Sequence, residues 1–224
     1  VLPLHLGCNG VGLGREAKLG ERPVTPTLLL TDLDGVLRQW PRRDSPLEEA
    51  FGLPADIIAR TAFAPDLLHQ AITGVMTDEA WREEVRRRLQ DQHPAADAGA
   101  AVAAWSAPAG VVDTEVLEVI TQVRERCQVG LITNATSRLP RDLARLELTG
   151  HFDFIFNSSE VGYAKPRPEI FAHAMAGAGV LPGEVAFLDD TLANVQAAEA
   201  LGIRAHHYVG VARLSEWLSE LGLA

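Results

Sequence analysis

The sequence predicts an α/β protein: a doubly wound parallel sheet with a small, purely helical unit inserted after its first strand. Three observations predict it. Short apolar runs recur along the chain, several of them apolar at consecutive positions, as strands buried on both faces of a parallel sheet require. Amphipathic helical stretches alternate with these runs from Val116 to the C-terminus, which is the pattern of βαβ units. Between the first run and Val111 the alternation stops, and about 75 residues read as helix and loop only, too long for a connection inside one compact fold.

Taken in order, residues 1–26 are rich in Gly and Pro and lack periodicity, so a flexible leader is expected there. Gly10, Gly12 and Gly14 have neither a preceding strand nor a following helix, which a nucleotide-binding loop needs. Leu28-Leu29-Leu30 is the first strand, and residues 27–37 open the core domain. Residues 38–110 form the helical insertion: mixed apolar and acidic positions over 46–70, a helix over 78–90, and an Ala-rich helical stretch from Pro94 to Ala104. In the second of these, Glu83 and Arg87, and Glu84 and Arg88, have i,i+4 spacing in the favourable order.

The core resumes over residues 111–224. Val116, Ile120, Val123 and Cys127 make one helical stripe, and strands are expected at Val129–Ile132, Phe152–Phe156, Val185–Leu188 and Ile203–Val209. Pro140 and Pro168 suit first helical positions, and Gly179 and Gly202 suit the residue after a helix end. Leu214, Trp217, Leu218 and Leu221 close the chain with an amphipathic helix.

Composition excludes several functions. Hydrophobic residues make up 47% and charged residues 22% of the 224, enough apolar material for a sizeable core. The formal net charge of -10 argues against nucleic acid, which is bound by Lys and Arg neutralising phosphates. An acidic protein that binds any anion must therefore concentrate positive charge locally. No apolar run reaches the roughly 20 residues of a membrane span, and the N-terminus lacks the pattern of a secretory signal. Cys8 and Cys127 lack metal-ligand spacing, which fits a reducing compartment; a cytoplasmic protein is expected. The oligomeric state is not legible.

In open α/β sheets, ligands bind beyond the carboxyl ends of the strands. There the first strand ends in Thr31-Asp32-Leu33-Asp34-Gly35, the second in Thr133-Asn134-Ala135 and the fourth in Asp189-Asp190, while Lys165 follows the third. Asp34 shares a side with Asp32 if the strand conformation persists. Four carboxylates on adjacent strand ends repel one another without a cation, and hard oxygen ligands suit Mg2+.

Asp32-Leu33-Asp34-Gly35-Val36-Leu37, Thr133-Asn134-Ala135, Lys165-Pro166 and Asp189-Asp190, in that order, resemble the four motifs of the haloacid dehalogenase superfamily, over residues 27 to about 210. The core would then be Rossmann-like, and the insertion resembles the cap that one subgroup carries between the first and second motifs. The resemblance implies a magnesium-dependent phosphatase acting on a small phosphorylated metabolite. Asp32 would be the nucleophile, and Asp34 would protonate the leaving oxygen and then deprotonate water. The Thr133 hydroxyl and backbone N–H groups near Asn134 and Ala135 would cradle the phosphoryl group, and Lys165 would supply the local positive charge. Asp190, Asp32 and the backbone carbonyl of Asp34 would bind the metal, with Asp189 joining them or holding a coordinated water. For Asn194, a helix-surface role and one behind the metal ligands are equally open.

Other readings compete. A dehalogenase would not need Asp34, since a departing halide takes no proton; a sugar phosphomutase would; an inactive binding module would have lost Asp32, Asp34, Lys165 or Asp190. Adjacent His206 and His207 face opposite sides of a strand, and the other histidines have no partner pattern, so all seven read as structural or surface. Arg86, Arg87 and Arg88 follow Glu83 and Glu84 and read as a solvated helix face. Trp40, Trp81 and Trp105 read as core.

Overall fold

The computed structural model describes residues 25–40 and 47–224. The expected leader lies outside the described residues except for its last two positions. Seven strands and ten α-helices follow one another among them: β1 (Leu28–Thr31), β2 (Arg38–Gln39), α1 (Ile57–Ala62), α2 (Pro65–Ile72), α3 (Asp78–Gln92), α4 (Ala98–Ser106), β3 (Val111–Val112), α5 (Thr114–Val123), β4 (Gln128–Thr133), α6 (Leu139–Arg145), β5 (Phe154–Asn157), α7 (Ser158–Val161), α8 (Pro168–Ala178), β6 (Val185–Asp189), α9 (Leu192–Ala200), β7 (Arg204–His207) and α10 (Val211–Glu220).

Five strands form one parallel sheet in the order β5-β4-β1-β6-β7. The chain therefore winds outward first on one side of β1 and then on the other, which makes the end of β1 the switch point of the topology. Side-chain alternation divides the sheet between two cores. Leu29 packs with Val116, Ile120 and Val123 of α5, Leu143 of α6 and Leu214 and Leu218 of α10. Leu28 and Leu30 face the other way, onto Ile170 and Phe171 of α8 and Ala198 of α9. All three leucines of β1 are fully buried, as the unbroken apolar run requires.

The helical insertion has a cluster of its own, in which Leu53, Ile58, Leu67, Trp81, Val85, Leu89 and Val102 meet. Trp81 and Trp105 pack edge to face at 5.9 Å, as core aromatics should. The structure alters four details. Asp97 accepts from Ala100 N–H and starts α4 at Ala98, so the stretch from Pro94 is a turn before that helix. Arg86, Arg87 and Arg88 are paired with Glu83, Glu84, Asp91 and Asp66 on an open face, but Glu83 takes Arg86 at i+3 in place of Arg87. Cys127 lies past the end of α5, partly buried against the sheet, and burial pushes its thiol up to about 11.

The fourth difference bears on the site. The two chain crossings between core and insertion are not loops: β2 and β3 pair antiparallel, Arg38 with Val112 and Gln39 with Val111. Two-residue strands are too short to show a hydrophobic period. Among the described residues, no helix is long and apolar enough to cross a membrane.

Candidate active site

Beyond Thr31 the chain leaves the sheet, and the N–H groups of Leu37 and Arg38 both turn back to Leu33 O. Asp32 is the first residue of this loop, 7% exposed. Its Oδ1 accepts from Leu33 N–H at 2.7 Å and lies 2.9 Å from Lys165 Nζ. Burial pushes the Asp32 carboxyl up to about 6, with Lys165 opposing and Asp189 adding to the rise.

Lys165 comes from the segment between α7 and α8, and its side chain is 1% exposed. The carboxamide of Asn134 holds that segment in place: Lys165 N–H donates to Asn134 Oδ1 at 2.7 Å, and Asn134 Nδ2 donates back to Lys165 O at 2.8 Å. Nζ also donates to Asp189 Oδ2 at 2.6 Å. Burial alone would lower the ammonium, but Asp32 and Asp189 together outweigh it and leave it raised, so Lys165 stays charged. Here is the local positive charge that an acidic protein needs.

Asp189 ends β6 and is fully buried. Besides Lys165, its oxygens take Thr191 N–H at 2.8 Å and Asn194 Nδ2 at 3.0 Å. Asn194, buried on α9, therefore stands behind the acidic cluster and not on a helix surface. Asp190 is exposed, and one oxygen each of Asp32, Asp189 and Asp190 lies within 4.8 Å of the others. Hard, anionic oxygens at that separation fit a divalent cation. The loop is shaped for it: Gly35 has φ +78, and a Cβ there would lie 1.9 Å from Asp190 Oδ2. Only glycine lets this carboxylate lean over the turn.

Thr133, at the end of β4, is buried beside β1. The cradle after it is narrower than the sequence implied, because Ala135 N–H donates to Ser158 Oγ at 3.1 Å. Asp34 is also placed differently. Since β1 has ended, strand alternation does not orient it, and its carboxylate lies outside the set formed by Asp32, Asp189 and Asp190. It is instead gripped by Arg38, Nε to Oδ1 at 2.7 Å and a terminal nitrogen to Oδ2 at 2.8 Å, and by Trp40 Nε1 at 2.7 Å. Trp40 is thus no core residue: it is 51% exposed. Neither partner was legible, since each meets Asp34 through a turn and not through a period.

His206 stacks on Trp217 at 4.9 Å, while His207 Nε2 lies 2.9 Å from Asp190 O, so the two rings serve opposite sides of β7.

The haloacid dehalogenase-like hydrolase family model matches residues 26–202. The chain belongs to that family. A HAD family enzyme from Bacteroides thetaiotaomicron, solved in complex with magnesium and inorganic phosphate, is 26% identical with TM-score 0.64, covering 81% of this chain and 93% of that one. An L-2-haloacid dehalogenase from Xanthobacter autotrophicus shares the fold at 14% identity and TM-score 0.57, over 89% of this chain and 84% of its own. Among curated proteins, the chain is similar to a phosphoserine phosphatase of Thermus thermophilus, 36% identical over 37% of this chain and 34% of that protein. It is also similar to the pyrimidine 5'-nucleotidase YjjG of Escherichia coli, 34% identical over 41% of this chain and 44% of the relative. These matches span less than half of the curated relatives' lengths.

Proposed function

We propose that this family member is a magnesium-dependent phosphatase that hydrolyses a small phosphorylated metabolite through a phosphoryl group carried on Asp32. The observation that carries the reading is the buried Asp32–Lys165 pair at 2.9 Å, set against the exposed carboxylate of Asp190. The names of two relatives, a phosphatase and a nucleotidase, support it, as does the phosphate bound with magnesium in the Bacteroides enzyme.

Asp32 and Asp190 would hold the magnesium ion, joined by the backbone carbonyl of Asp34. When bound, the ion screens the repulsion between an anionic substrate and an anionic nucleophile. Asp189 is better assigned to Lys165 than to the metal. Its two oxygens already take Lys165 Nζ, Thr191 N–H and Asn194 Nδ2, the last shared between both.

In the first step an Asp32 oxygen bonds to phosphorus, the bond to the leaving oxygen breaks, and Asp34 gives that oxygen its proton. In the second, Asp34 takes a proton from water, the water oxygen bonds to phosphorus, and the bond to Asp32 breaks, releasing inorganic phosphate. Lys165 keeps Asp32 ionised and aligned and faces the charge that builds on the phosphoryl oxygens. The Thr133 hydroxyl donates to one of those oxygens, and Asn134 acts by fixing the Lys165 backbone. The helical insertion serves as a cap that excludes water and selects the substrate.

Asp32→Asn keeps the shape and removes the nucleophile. Phosphate release from an aryl phosphate should fall to background while the melting temperature holds; substantial turnover by that variant would overturn the reading. Screening wild-type protein against phosphorylated metabolites, with and without magnesium, identifies the substrate.

A further inference from the structure

We propose that Arg38 and Trp40 are positioning residues for the acid–base carboxylate of Asp34, mounted on the ribbon that joins the helical insertion to the core. The inference rests on the phosphatase reading and adds to it two side chains from outside the four motifs.

Asp32 follows directly on a sheet strand, but Asp34 sits on a turn, and proton transfer tolerates little misalignment. Its support comes from the side. The guanidinium of Arg38 takes both Asp34 oxygens, a forked pairing that fixes the plane of the carboxylate. Trp40 adds its indole N–H to Oδ1 and lays its ring 4.8 Å from the guanidinium carbon. Arg38 is itself held: it is 5% exposed, and its remaining nitrogen reaches Asp142 Oδ2 at 3.4 Å and Ala109 O at 3.5 Å. Gly110, at φ +88, leaves room for the stem; a Cβ there would lie 2.7 Å from Arg38 Cγ.

An arginine four residues from an aspartate is often only a loop brace. Trp40 argues for more: an indole half open to solvent contributes little core burial, yet its one polar atom is aimed at this carboxylate. Arg38 lies in β2 and Trp40 directly follows it, while Ala109 and Gly110 directly precede β3. The supports of Asp34 therefore belong to the insertion's two crossings, and the alignment of the acid–base group follows the ribbon.

The test compares two substrates of the holoenzyme. An alkyl phosphate needs its leaving oxygen protonated; an activated aryl phosphate does not. The quantity read is the alkyl-to-aryl ratio of kcat/KM. Arg38→Met should lower that ratio at least about tenfold and Trp40→Phe about threefold, both in the direction of Asp34→Asn, whose loss should be largest, within the range that general acid catalysis supplies. Arg38→Lys should recover only part, because an ammonium does not span two oxygens. Trp40→Phe keeps a ring over Arg38 at an exposed position, so the question stays answerable if Arg38→Met folds poorly. A ratio unchanged in both variants, with Asp34→Asn selective, would overturn the proposal alone. Absence of selectivity in Asp34→Asn itself would overturn the proton-transfer assignment and the proposal with it.

Discussion

Asp32 has to lose a proton before it can act either as nucleophile or as metal ligand, and burial makes that proton harder to remove. Proton and magnesium then compete for one carboxylate. The sign follows: magnesium affinity should rise about tenfold per pH unit up to about 6 and level off above, one proton being displaced per ion. Thermal-shift titrations at about pH 5 and about pH 7.5 would show it, and a pH-independent affinity would remove Asp32 from the ion's ligands. For the metal-free protein the linkage runs the other way. The folded carboxyl is raised above its unfolded 3.8, so this group favours folding at low pH, and that contribution is lost as pH rises towards about 6. At this scale the sequence exposed Asp32, Thr133, Lys165, Asp189 and Asp190, because unlike polar residues at the ends of apolar runs have no packing reason to be there. It concealed the grip of Arg38 and Trp40 on Asp34 and the donors gathered on Asp189, which depend on tertiary placement.

The turn after β1 works as an element because of what Gly35 lacks. Gly35→Ala adds a methyl at φ +78 inside the van der Waals shell of Asp190. A destabilisation of about 1–3 kcal/mol should follow from backbone strain at such a position, together with loss of most of the magnesium-induced rise in melting temperature. A variant that keeps that rise would show that Asp190 is not a metal ligand. Strand and helix elements of the sheet were legible because consecutive apolar positions and single apolar stripes are strong periodic signals; the starts of α8 and its glycine end at Gly179 followed from Pro and Gly alone. The ribbon of β2 and β3 left no such trace. Nor did the arginines of the α6 segment, where Arg138 donates to Ser106 O and Pro108 O and Arg145 to Ala107 O, tying the end of α4 to the core.

For the whole molecule the question is how firmly the insertion is seated over the sheet edge. Asp78, at the start of α3, is 2% exposed. Its Oδ1 accepts from Thr136 Oγ1 and its N–H donates to Ser137 Oγ, both at 2.9 Å, while Arg82 approaches Oδ2 at 2.5 Å as a charge contact. Beside it, Gly74 passes so close to the core that a Cβ would lie 2.0 Å from Ser159 O. Asp78→Ala should cost about 1–3 kcal/mol, the usual penalty for stranding buried polar partners, measured by thermal or urea denaturation. A neutral result would mean that the arginines around Ser106 and Ala107 carry the seating without it. Insertion and sheet each close around apolar clusters of their own, but partners between them such as Asp78 and Thr136 carry no sequence signature.

Because Gln39 and Val111 face each other in an antiparallel pair, the chain leaves the catalytic framework and re-enters it across a gap of about 5 Å. A two-residue hairpin spans such a gap. The helical insertion is thus connected like a plug in a socket: excision or exchange for a foreign module at this point changes neither β1, which Asp32 directly follows, nor β4 and β6, which end in Thr133 and Asp189. Any graft that omits Arg38 and Trp40, however, would keep Asp32 and lose the side chains that hold Asp34.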